Sequence, residues 1–240
     1  MSELTGTLPE KRAEPLTRTG IRGLKNRELT LLRVIVHIGG FAPAAYLLYA
    51  FFTDDLTANP IQALEQRTGI YALTFLVLSL ACTPLSSILG WKELLLRRKA
   101  LGNYGFLYAS LHVLMFFVVD YGLNLIAVWR DVWNKYYIII GATAFLLLLP
   151  LAFTSFKYWM KRLGKNWKRL HRLVYLISPL VVIHFLLSVK GNITQLQGNI
   201  FQPILYGAIV ATLLILRIKP IKLALIRLRT QIASHLNSGG

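Results

Sequence analysis

The sequence predicts an all-α fold: a polytopic membrane helical bundle of six transmembrane helices with both termini in the cytoplasm. Three observations lead there. Of the 240 residues 55% are hydrophobic and the mean hydropathy is +0.53, richer than the ~45–50% apolar content of soluble domains. The apolar residues form runs close to the ~20 residues that a helix needs to cross a hydrocarbon core. Only 15% of residues are charged, and they gather between the runs.

Six runs qualify, at 31–52, 70–89, 101–120, 136–153, 172–189 and 201–217. The fourth, YYIIIGATAFLLLLPLAF, carries no charge. The first contains Arg33, Gly39, Gly40 and Pro43, and the sixth is short, so five spans is the alternative count. Loop charge then bears on the count and the orientation. Seven basic residues precede or open span one, four lie between spans two and three, seven around the loop between spans four and five, and five after span six. The opposite side has only Arg67, Arg130, Lys135 and Lys190. The positive-inside rule puts the richer side, and both termini, in the cytoplasm. An odd number of spans would scramble that division, which favours six.

Residues 1–28 are polar and basic, without the apolar stretch of a secretory signal, and read as a disordered cytoplasmic tail. Residues 29–219 hold the transmembrane domain, and 220–240 form a cytoplasmic C-terminal tail. No internal repeat stands out. The net charge of +17 does not argue for nucleic acid, because the basic residues border apolar runs and make no folded polar face. The single cysteine, Cys82, excludes an intrachain disulfide and any CxxC motif. It reads as a small buried hydrophobe.

Ionisable groups inside spans are costly and mark function by default. His112 lies 13 residues beyond Lys99 in span three, and His184 lies 12 beyond Arg172 in span five. At ~1.5 Å per residue both imidazoles sit ~18–20 Å from the cytoplasmic edge. Two imidazoles at one depth on neighbouring helices match the axial needs of six-coordinate haem iron. Gly102, Gly105, Ala109 and His112 share one helix face. Small residues there serve a flat macrocycle or close helix packing equally well. His171, at the cytoplasmic edge, lies ~140° around the helix from His184, with Pro179 between them. Its equivalent depth on span three is Lys99. His171 is therefore left open between haem ligation with another partner, a propionate contact, and a bond to a cytoplasmic cofactor. His37 reads as structural or interfacial, and His235 as solvated.

Two stretches carry a family resemblance: LLLRRKALGNYGFLYASLHVLMFF, and LAFTSFKYWMKRLGKNWKRLHRLVYLISPLVVIHFLLSVK over 151–190. They resemble the haem-binding membrane subunits of the protein-methionine-sulfoxide reductase system, the MsrQ/YedZ family, within the ferric-reductase-like transmembrane superfamily. The resemblance runs from about Asn26 to about Arg229. It implies a bacterial inner-membrane cytochrome that binds haem b and FMN. Electrons would come from the quinone pool or a cytoplasmic flavin reductase, and pass to a periplasmic molybdopterin reductase subunit that repairs oxidised proteins. The family histidines fall on His112, His171 and His184, and the basic pair before span three on Arg97 and Arg98. That pair suits a flavin phosphate or docked flavoprotein, or equally topology and lipid headgroups. Relatives with two haems carry two histidines on span three, where this chain has one. One haem is therefore assigned to His112 and His184, and a second at His171 is left open.

The expected mechanism is electron relay without substrate chemistry. A reductant docks near Arg97, Arg98, Lys165 and Arg169, and the periplasmic loops 53–69, 121–135 and 190–200 face the acceptor. Asp54, Asp55, Asp120 and Asp131 read as solvated or docking residues. A histidine-relay proton or ion transporter would call for intramembrane carboxylates or inverted repeats, and neither stands out. A passive anchor would not need histidines at matched depth. A ferric reductase would bring an attached NADPH/flavin domain, and this chain ends soon after span six.

Overall fold

The computed structural model describes residues 26–189, 191–192, 197–198 and 200–238. The N-terminal tail as far as residue 25, Lys190 and the side chain of His235 lie outside the described residues.

The helices are α1 (Asn26–Phe52), α2 (Pro60–Leu89), α3 (Glu93–Leu114), α4 (Leu125–Asn134), α5 (Tyr136–Phe153), α6 (Lys157–Leu163), α7 (Lys165–Leu170), α8 (Val174–Ser188), α9 (Phe201–Ile215) and α10 (Lys219–Ser238). A π-helical segment, Met115–Asp120, continues α3, and one 3-10 turn, His171–Leu173, joins α7 to α8. Among the described residues five stretches are long and apolar enough to cross a membrane: Leu31–Phe52, Pro60–Leu89, Glu93–Asp120, Tyr136–Phe153 and Lys165–Ser188. Phe201–Ile215 is a sixth, shorter apolar helix, ~22 Å long at the helical rise. The protein is a multi-pass helical membrane bundle. A two-residue antiparallel pair, Gly191–Asn192 with Gln197–Gly198, closes the connection between α8 and α9.

Several boundaries differ from the sequence expectation. The second helix starts at Pro60, ten residues before its apolar run, because Asn59 caps it (Oδ1 accepts from Gln62 N, 3.2 Å) and proline occupies the first turn. The presumed loop 121–135 contains α4, capped by Asn124 on Ala127 N at 3.0 Å. Gly122, at φ 54°, makes the turn before it. The C-terminal tail is α10. The approach to α8 is broken at Gly164, whose φ of 49° ends α6 and restarts the chain as α7.

The packing centre is α2. Leu73, Val77 and Leu80 meet Val210 and Leu213 of α9, while Leu76 joins Ala144, Leu148 and Leu151 of α5 and Ile177 of α8. Hydrocarbon gives helices no hydrophobic reason to associate, so small residues and interhelical hydrogen bonds must hold them. Both are present. A Cβ on Gly105 would lie 3.2 Å from Leu76 N and 3.4 Å from Ala72 O, and one on Gly102 3.3 Å from Ser79 Oγ. The small face of α3 is therefore the seam against α2, which decides between the two readings left open by the sequence. Ser79 Oγ donates to Arg98 O across that seam at 2.9 Å.

Two helices have their backbone ladders completed by side chains from neighbours. On α1, Tyr108 of α3 stands between Ala44 N–H and Gly40 C=O, a pair spaced for a helical hydrogen bond. Its hydroxyl accepts from the first at 3.0 Å and donates to the second at 2.7 Å. On α2, Pro84 has no N–H for Leu80 C=O, and Arg217 Nη2 donates to that carbonyl instead. The Arg217 guanidinium also lies 4.9 Å over the Tyr175 ring, with Nη1 2.8 Å from Tyr175 Oη. Large apolar side chains such as Leu31, Ile38, Phe41, Leu146 and Leu176 point outward, as lipid-facing positions require.

Candidate functional site

Helix α3 carries His112 two residues before Leu114, where it passes into the π-helical segment. Single π turns inside α-helices are often found at functional sites. Helix α8 carries His184 one turn before its end. The bundle brings the two rings together, with centroids 6.1 Å apart and planes at 77°.

Each imidazole is held from behind by a different helix. His112 Nδ1 lies 2.9 Å from the carbonyl oxygen of Glu65 on α2, and His184 Nδ1 2.7 Å from that of Tyr137 on α5. A carbonyl only accepts, so both Nδ1 atoms carry the proton. In a neutral ring this leaves Nε2 as a lone pair, the tautomer that binds a metal.

The two anchors are copies of one another. Glu65, Gly69 and His112 recur as Tyr137, Gly141 and His184, each 72 positions later in the chain. In both, the carbonyl lies one helical turn before a glycine, and the histidine ring covers that glycine. A Cβ on Gly69 would be 3.2 Å from His112 Nδ1, and one on Gly141 2.6 Å from His184 Nδ1. The anchor of the α2–α3 pair thus recurs in the α5–α8 pair, with only glycine and histidine kept in identity. The same offset relates Lys99 to His171.

His171 lies on the 3-10 turn. Its Nδ1 is 3.1 Å from Trp167 O, and its ring is 4.1 Å from the Trp167 ring. Trp167 Nε1 donates to Thr154 O at 2.9 Å, tying this segment to the end of α5. Arg98 lies within electrostatic range of His171, and Arg98 Nη1 donates to Thr83 Oγ1 at 3.3 Å. Arg97, Arg98 and His171 therefore lie at the α2–α3 end of the bundle, apart from the His112–His184 pair. His37 Nδ1 is 2.8 Å from Tyr104 Oη, a contact that joins α1 to α3.

At the opposite end, Asp131 is tied into the protein. Tyr121 Oη donates to Asp131 Oδ2 at 2.8 Å, and Lys135 Nζ to the same oxygen at 2.7 Å. Those two bonds, Lys135 foremost, hold the Asp131 carboxyl below its usual range, and the bond to Asp131 pushes Lys135 up. Sequence reasoning missed this network, although the Asp-to-Lys spacing of four on a short helix was a signal for it.

The fold and the histidine pair define a class, and the sequence matches the model of that class. Residues 68–182 match the ferric reductase like transmembrane component, a range that includes His112 and His171 and stops two residues before His184. Three curated relatives extend the likeness. The protein-methionine-sulfoxide reductase heme-binding subunit MsrQ of Xanthomonas euvesicatoria pv. vesicatoria is 39% identical over 188 residues, covering 76% of this chain and 83% of its own. The MsrQ subunit of Azospira oryzae is 39% identical over 189 residues, 78% of each chain. That of Herminiimonas arsenicoxydans is 38% identical over 192 residues, 80% of this chain and 86% of its own. The chain belongs to the MsrQ family.

Proposed function

We propose that this protein is a transmembrane b-type cytochrome of the bacterial inner membrane, which relays electrons to a periplasmic molybdopterin methionine-sulfoxide reductase subunit and so supports repair of oxidised proteins. The observation that carries the reading is the histidine pair. Two imidazole–metal bonds of ~2 Å each, plus ~1 Å from each ring centre to its Nε2, sum to ~6 Å. The ring centroids are 6.1 Å apart, and each Nδ1 is already committed to a carbonyl. The donor set therefore fits a haem iron, which His112 and His184 would hold through their Nε2 atoms.

Bound there, haem supplies a one-electron ferric/ferrous couple. The residues of the chain do the rest. The Glu65 and Tyr137 carbonyls hold each imidazole in one tautomer and one orientation, and their hydrogen bonds make each ring a stronger donor to the metal. The packed helices exclude water and lower the local dielectric, which tunes the potential. The donor, the quinone pool or a cytoplasmic flavin reductase, meets the basic end that includes Arg97 and Arg98. Guanidinium groups there suit the phosphate of FMN, and His171 with Trp167 lies at the same end. Both termini are cytoplasmic in this reading, and α4 with its neighbouring loops faces the reductase subunit.

The test is electron delivery. The chain is reduced with dithionite, freed of excess reductant and mixed anaerobically with a bacterial catalytic methionine-sulfoxide reductase subunit. Oxidised protein substrate is then added. Each sulfoxide takes two electrons and two protons to give a thioether and water, so reoxidation of two equivalents per sulfoxide is expected. Absence of substrate-dependent reoxidation overturns the reading.

A further inference from the structure

The repeated anchor points to residues that coordinate nothing yet fix the ligands. We propose that Gly69 and Gly141 are positioning residues for the two imidazoles, with Gly141 the stricter of the pair. The inference rests on the reading that His112 and His184 hold one haem iron.

In both anchors the ring that donates from Nδ1 to a carbonyl also covers the side-chain position one turn along. A Cβ at Gly141 would sit 2.6 Å from His184 Nδ1 and 2.7 Å from Cε1. Both are inside any real Cβ contact, so the ring or helix α5 must move. The ring cannot retreat without lengthening its 2.7 Å bond to Tyr137 O. At Gly69 the same atoms would be 3.2 and 3.3 Å away, and a shift of a few tenths of an ångström would accommodate them. Gly39, on α1, would meet nothing within 4 Å, which makes it a matched control. A glycine in a helix interior is destabilising relative to alanine, so steric freedom, and not helix propensity, accounts for both positions.

Loss of the Nδ1 bond weakens the imidazole as a donor and frees its orientation. Outer-shell partners of this kind are worth ~10–100-fold in metal affinity. A weaker donor also stabilises the ferric state less, so the midpoint potential rises.

The experiment compares purified wild type, Gly39→Ala, Gly69→Ala, Gly141→Ala and His184→Ala. Each is checked for monodispersity and helicity, then for haem retention, low-spin EPR signal and midpoint potential. Gly141→Ala is expected to stay folded and to lose haem about 10–100-fold more readily, or to shift towards high spin that added imidazole returns to low spin. Gly69→Ala is expected to keep its haem with an altered EPR signal and a raised potential, and Gly39→Ala to match wild type. If Gly141→Ala does not fold, the Gly69→Ala potential decides. A haem-loaded wild type with Gly141→Ala, or in that case Gly69→Ala, indistinguishable from it overturns the inference alone. A wild type without haem overturns the reading beneath it as well.

Discussion

Tyr108 stands inside the backbone ladder of α1, donating to Gly40 O at 2.7 Å while accepting from Ala44 N at 3.0 Å. The side chain is fully buried, and Phe75 stacks on its ring with centroids 5.4 Å apart. Tyr108→Phe keeps that stacking and removes only the hydroxyl. It leaves the part-buried Ala44 N–H and the buried Gly40 C=O without their shared partner, a loss of ~1–3 kcal/mol. Unfolding in detergent, followed by circular dichroism, checks this. A change below ~0.5 kcal/mol would mean that the α1 ladder closes without the tyrosine.

His171 and the central pair are expected to separate experimentally. The His171 ring is held by Trp167 of α7, itself tied to Thr154 after α5, so His171→Ala leaves the low-spin signal of the His112–His184 haem unchanged in position. Visible and EPR spectra of the variant check it. A loss as complete as that of His112→Ala would contradict the assignment of that haem to the central pair.

The α4 network sets a pH window. The folded pKa of Asp131 is depressed, chiefly by the Lys135 bond and then by Tyr121. Its contribution is present above the ordinary aspartate value of ~3.9 and is lost as pH falls through the lower folded value. Lys135 is raised, first through its bond to Asp131. That contribution is present below ~10.4 and is lost as pH rises through the higher folded value. Trp129 and Trp133 of α4 lie edge to face, 5.4 Å apart, and their fluorescence reports the helix. A flat signal between about pH 5 and 9, with a transition below ~3.9 that begins at higher pH in Lys135→Ala, is expected. A transition centred near neutral pH would contradict the network.

Orientation is open to labelling. Cys82 is 2% exposed, so a membrane-impermeant maleimide should not reach it. Asp55→Cys, after α1, is expected to react from the periplasmic side in spheroplasts. Lys161→Cys, on α6, is expected to react only after lysis. The reverse pattern would contradict the cytoplasmic placement of the termini.

How much was legible depended on where the information lay. Helix α5 runs from Tyr136 to Phe153, the limits set by its uncharged run. The matched depth of His112 and His184 followed from counting residues at a fixed rise. Where polarity and helicity part company, hydropathy misled. The first turns of α2 carry Gln62, Glu65, Gln66 and Arg67, and α4 is too short and amphipathic to register as a span. Their caps, Asn59–Pro60 and Asn124, were readable signals. The anchoring of the histidines was not readable, because the acceptors are backbone carbonyls. Glu65 and Tyr137 share no side-chain chemistry, and the glycines act by what they lack.

The most direct test of the account is a dithionite-reduced minus oxidised visible spectrum of the purified protein beside His112→Ala and His184→Ala. A low-spin b-type signal is expected in the wild type, with its disappearance in both variants while the folded yield persists. A wild type with no signal after expression with ample haem, or variants that keep it, would contradict the histidine pair as the electron-carrying centre.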